Sequence, residues 1–134
     1  MTADDSFEYV RHVDAAARDA TPVAERYAQS LLDADSGARH CTISYIRTAA
    51  GGGSPAGMHI HEVDQIFYVL SGTMSIEIQG VGSVAEAGSL IVFPAGVPHR
   101  NWNDGDEPTV HLAFNVPMPD PAKTFAISVG DGSK

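Results

Sequence analysis

The residues best suited to chemistry lie in the stretch from Gly53 to Gly72, GSPAGMHIHEVDQIFYVLSG, whose centre is His59-Ile60-His61. Side chains alternate faces along a β-strand, so His59 and His61 point the same way, with imidazoles close enough to grip one ion. Gln65 shares that parity. Further on, Gly88 to Asn103, GSLIVFPAGVPHRNWN, reads as a buried-type strand closed by a Pro/Gly turn that delivers another histidine, His99.

The spacing of both stretches is specific. Gly53 is followed by five residues, then His59-x-His61, three residues, Gln65, six residues and Gly72. Gly88 is followed by five residues, then Pro94-x-Gly96, two residues, His99, three residues and Asn103. Together these resemble the two signature motifs of the cupin superfamily, small β-barrel proteins that hold a metal ion. The second motif fits without exception, and the first departs once, with glutamine at position 65 where the pattern has glutamate. The resemblance covers about residues 40 to 117.

It implies that His59, His61, Gln65 and His99 hold one divalent ion (zinc, manganese, iron or nickel) while leaving positions open for water or substrate. Cupins without metal have generally lost these histidines. An amide oxygen can ligate but carries no charge and no useful basicity. Relative to glutamate, Gln65 therefore weakens affinity and leaves the ion a stronger Lewis acid. It also cannot be the general base that glutamate supplies in flavonol-type dioxygenases. A shell of three histidines and one glutamine resembles that of certain polyketide cyclases, uronate-tautomerising enzymes and hydroxynitrile lyases. The reading that follows is a metal-dependent non-redox lyase, isomerase or cyclase acting on a small oxygenated molecule. The alternatives are an O2-dependent dioxygenase and a non-catalytic small-ligand binding module.

For proton transfer the candidates are His111 and Tyr45. On a strand from Thr109 to Val116, His111 shares a small and polar face with Ala113 and Asn115, opposite Val110, Leu112 and Phe114. It either lines a pocket or lies on the exterior. Tyr45, Arg47 and Phe67 are weaker pocket candidates. Glu62 and Asp64 have the opposite parity to the histidines and should face away. His12 and His40 read as surface residues, Trp102 as a packing or pocket-rim residue, Asn103 as a loop anchor and Cys41 as a buried thiol.

The elements that must position these groups are short strands joined by Gly/Pro/Asp turns, the pattern of an all-β double-sheet jelly roll with a short N-terminal arm. Residues 1–26 read as the arm, 27–120 as the barrel domain and 121–134 as a C-terminal tail. Within the arm, residues 1–6 are polar and expected to lack order, and Phe7 to Val13 form a short strand or arm. Residues 14–26 allow a turn or two of helix, with Thr21-Pro22 as N-cap and first helical residue. Tyr27–Leu32 and Cys41–Ile46 read as a hairpin, Ala49–Gly57 as a turn-rich loop, and Thr73–Gln79 as a half-buried hairpin strand. Leu90–Phe93 is apolar on both faces, as a strand covered on both sides would be.

At 134 residues the chain forms one domain, able to bury roughly 65–70% of its unfolded surface. Its single cysteine excludes an intrachain disulfide and suits a reducing compartment. The start, MTADDSFEYV, has acids where a signal peptide needs bases and no apolar run long enough to insert, so a cytoplasmic protein is expected. A net charge of −9 repels phosphate backbones and anionic lipid heads, which argues against nucleic-acid and membrane partners. A small-molecule substrate and a second copy of the chain remain as partners. The apolar residues of the arm suggest a homodimer, with residues 7–13 exchanged between subunits as one form it can take.

Overall fold

A computed structural model of the chain describes residues 7–54 and 57–130. The polar start at 1–6, part of the turn-rich loop at 55–56 and the last four residues of the tail lie outside them. The order is α1 (Ala15–Ala20), β1 (Tyr27–Leu32), β2 (Thr42–Thr48), β3 (Met58–Ile60), β4 (Asp64–Ser71), β5 (Thr73–Ile78), β6 (Val81–Glu86), β7 (Leu90–Phe93), β8 (His99–Trp102), β9 (Thr109–Val116) and β10 (Ile127–Gly130). The strands form two five-stranded sheets, β1-β2-β9-β4-β7 and β10-β3-β8-β5-β6, and every pairing is antiparallel. This is the expected all-β jelly roll.

The core forms where the inward faces meet. Phe67, Val69, Ile91, Phe93 and Ala113 come from the first sheet and Met74, Ile76 and Ala85 from the second, all alternate residues of their strands. Phe93 and Val69 are fully buried, and removing a side chain of that size from water contributes about 1.5–3 kcal/mol each. The outer face of the first sheet is apolar as well. Leu90, Tyr68, Leu112 and Tyr45 stand in one cross-strand row, and Val92, Ile66, Phe114 and Ile43 in the next. Leu90 is 62% and Val92 45% exposed, so β7 is covered on one side only, against the two-sided burial expected of its apolar run.

Two other expectations need correction, and one left open is decided. Thr21-Pro22 ends the helix rather than starting it: Asp14 is the N-cap, accepting from the Ala17 N–H, and the helix stops at Ala20. Proline disfavours helical backbone in the residue before it, so Thr21 turns extended. Of the two alternatives for residues 7–13, a short strand or an arm, the structure has the arm. Arg11 ties this arm to its own chain, donating to the Leu31 carbonyl (2.9 Å) and to the Ser36 hydroxyl (2.8 Å) and carbonyl (2.7 Å). Finally, the segment beyond residue 120 is more than a tail, because Ile127–Gly130 pairs with β3 and extends the second sheet.

Candidate metal centre

The register of the second sheet brings the two motifs together: His59 on β3 is the direct cross-strand partner of His99 on β8. His61 follows β3, just before a bend at Glu62-Val63 that carries the chain across to β4 in the opposite sheet. Gln65 therefore reaches the site from the first sheet, and its shared parity with the histidines spans a break that strand alternation alone does not cross. Two glycines make the approach possible. Gly53 has φ +140°, and a Cβ there would lie 2.5 Å from the Trp102 Cα, so no other residue fits without moving the backbone. Gly96 has φ +77°, and its N–H donates to the His61 carbonyl at 2.8 Å, locking the second motif's turn onto the first.

The ligand atoms of His59, His61 and His99 all lie within 4.8 Å of one another. Two rings are held in the orientation a metal needs. His61 Nδ1 lies 3.0 Å from the Phe125 carbonyl and His99 Nδ1 3.0 Å from the Val97 carbonyl. A carbonyl accepts only, so both Nδ1 atoms carry the proton and both Nε2 lone pairs face the cluster. Those two Nε2 atoms are buried without a hydrogen-bond partner among the described residues. A buried acceptor without a partner costs about 1–3 kcal/mol, and a cation among the three rings supplies that partner. Burial also lowers the pKa of all three histidines, His99 to about 4, despite the opposing hydrogen bonds on His61 and His99. They are neutral at physiological pH, the form that coordinates. The residues present fit a divalent ion.

Gln65 is buried, and its amide orientation follows from its neighbours. The Asn115 Nδ2 donates to Thr42 Oγ1 at 2.9 Å, which turns Asn115 Oδ1 toward Gln65; Gln65 Nε2 donates to that oxygen at 3.3 Å. Its own Oε1 is left for another partner.

A cavity of about 400 Å³ opens beside the cluster, lined among others by His59, His61, Gln65, Phe67, His111 and Phe125. His111 thus points inward, as the pocket-lining alternative has it. It is 2% exposed, its ring lies 4.2 Å from that of Phe67, and neither nitrogen has a partner among the described residues. Burial, aided by the charge of Arg26, lowers its pKa to about 4. An ordinary imidazole titrates near neutrality, which recommends histidine for proton transfer; burial takes that property from His111, which is neutral at physiological pH and meets a ligand as a weakly basic acceptor.

Tyr45 is not brought to the site. It faces outward on β2, packed against Tyr27 at 6.3 Å between ring centroids, because the inward parity of that strand belongs to Thr42, Ser44, Ile46 and Thr48. Arg47 also faces outward, and its guanidinium donates to the carbonyls of Arg18, Thr21 and Pro22. Glu62 is exposed beside Lys123 at 3.4 Å. Asp64 is exposed too, and accepts from the Ala95 N–H at 2.8 Å, a brace for the Pro94–Gly96 turn that its sequence did not announce. Asn103 anchors its loop as expected: Nδ2 donates to the carbonyls of Thr48, Ala49 and Glu107, and Oδ1 accepts from Gly105. Trp102 packs under Arg100, His12 and His40 are exposed, and Cys41 is only half-buried.

Two contributors were missed. Phe125 stacks on His61 at 4.0 Å between ring centroids, besides orienting it through its carbonyl. Arg26 lines the cavity from just ahead of β1.

The family model for the cupin domain matches residues 45–115, and the chain belongs to that family. Among solved structures it is similar to the polyketide cyclase RemF from Streptomyces resistomycificus (24% identity, 78% of this chain and 71% of that one, TM-score 0.66). It is similar also to KdgF from Halomonas sp. (19% identity, 71% and 82%, TM-score 0.60) and to the DMSP lyase DddQ from Ruegeria pomeroyi DSS-3 (17% identity, 89% and 56%, TM-score 0.62). At these identities the likeness is one of fold. No helix among the described residues is long and apolar enough to cross a membrane.

Proposed function

We propose that the protein is a metal-dependent non-redox enzyme, a lyase, isomerase or cyclase, acting on a small oxygenated molecule, with His59, His61, His99 and Gln65 holding the ion. The observation that carries the reading is the pairing of a neutral metal shell with a further buried imidazole, His111, that has no partner among the described residues and faces the same cavity. When bound, the ion would supply Lewis-acid polarisation of a substrate oxygen. His111 is neutral, so it meets the substrate as a proton acceptor through one nitrogen and a hydrogen-bond donor through the other. Phe67, its ring 4.2 Å from that of His111, gives the cavity apolar surface that limits water beside that proton. The likeness in fold to a polyketide cyclase and to a DMSP lyase supports the class. Turnover of an identified substrate with zinc or manganese under anaerobic conditions tests it, and oxygen uptake with iron or nickel would favour the dioxygenase reading instead.

We also propose that two copies pair through the outer face of the first sheet. Tyr68, Leu90 and Val92, neighbours across β4 and β7, are exposed together on that face, and exposed apolar side chains gathered in one place are the kind of surface that marks an interface.

A further inference from the structure

The cavity beside the histidines differs in charge from the chain around it. The sequence has seventeen acidic residues against eight lysines and arginines, yet among the described residues no Asp or Glu lines the cavity, and Arg26 is the charged residue on its wall. Arg11, Arg18, Arg47 and Arg100 are each occupied by a carbonyl, a hydroxyl or a carboxylate. Arg26 has neither a salt bridge nor a side-chain hydrogen bond among the described residues. An unpaired arginine on an open surface needs no explanation. One placed on the wall of an acid-free cavity, at its exposed end and near enough for its charge to be felt by His111, is a site for an anion.

We propose that Arg26 determines substrate specificity by binding the carboxylate of a small organic acid whose second oxygen function lies at the histidine cluster. The proposal rests on the reading of this cavity as the substrate site. A guanidinium presents paired N–H donors in the plane a carboxylate accepts. A cavity of about 400 Å³ suits a small acid, and Ile46, Phe67 and Phe125 give its carbon skeleton apolar contact. A neutral ligand would leave the guanidinium without a counter-charge.

The test uses the full chain loaded with Zn²⁺ and, in parallel, with Mn²⁺. A panel of small 2-oxo and 2-hydroxy carboxylic acids is compared with the matching primary amides by proton NMR, with affinities from titration. The expected result is that acids bind more tightly than amides and that their resonances broaden with Mn²⁺ and not with Zn²⁺. Arg26→Gln should weaken acid binding roughly 10-fold or more, as the loss of a charge-assisted pair does, with metal content unchanged, while Arg26→Lys retains part of it. Acids that bind no better than amides, or equally well to Arg26→Gln, would overturn the role of Arg26. If they still broaden with Mn²⁺, the cavity reading survives that failure. Binding without Mn²⁺ broadening would place the ligand elsewhere and overturn both.

Discussion

Replacing His111 by glutamine or phenylalanine should remove a pH dependence from folding stability, and its size follows from the burial of the ring. The imidazole is 2% exposed without a hydrogen-bond partner among the described residues, and burial lowers its pKa from 6.5 to about 4. At pH 7.5 it is neutral in the folded and the unfolded chain alike. As the pH falls through 6.5, the unfolded chain takes up a proton that the folded protein refuses until about pH 4, so stability declines across that window and levels off below it. Between pH 7.5 and 4.5 the decline due to His111 amounts to about 2–3 kcal/mol. The other cavity histidines act in the same direction, so the measurement is a difference. Urea unfolding of metal-free wild type should lose about 2–3 kcal/mol more over that interval than either variant loses. Equal losses in wild type and both variants would refute the placement of a neutral, unsolvated imidazole at position 111.

His61→Ala should abolish metal binding or sharply reduce occupancy by elemental analysis, whereas Glu62→Gln, on an exposed side chain beside Lys123, should leave it unchanged. Gln65→Glu should slow metal loss to a chelator while lowering turnover, since the added charge strengthens ligation and offsets Lewis acidity. His111→Ala should retain metal and cost roughly 10²- to 10⁴-fold in rate on an identified substrate if it moves the proton. Light scattering at micromolar concentration should give a dimer, and Leu90→Glu with Val92→Lys on the exposed outer face should give a monomer.

The fold and the three histidines were legible because short-range rules specify them. Alternation along Thr109–Val116 separated the set of His111, Ala113 and Asn115 from the set of Val110, Leu112 and Phe114, and pairing to β2 and β4 follows it. The glycines and prolines of the two motifs mark backbone that other residues cannot adopt, so their spacing carried three-dimensional information. Alternation alone left the facing of His111 open, since both faces of a strand look alike until neighbouring strands are placed. It gave Tyr45 no direction for the same reason: its inward or outward parity depends on pairing with Leu112 rather than on its own sequence.

What stayed hidden depends on contacts between segments remote in sequence. Phe125 stands in a proline-rich stretch with no periodicity to advertise it, yet it both stacks on His61 and fixes the tautomer of that ring. Arg26 lies among exposed residues ahead of β1, and nothing local distinguishes it from Arg39, also exposed. Its meaning comes from what the fold keeps away from it. Glu62 and Asp64 flank the metal motif in sequence and were expected from parity to face away; what parity did not give is where the bend into β4 sends them, one to Lys123 and the other to the Ala95 N–H. The carboxylates nearest in sequence are thereby spent on the exterior, and the charged or ionisable groups left on the described cavity wall are neutral imidazoles and one guanidinium. A site so composed leaves the negative charge to be brought by the ligand.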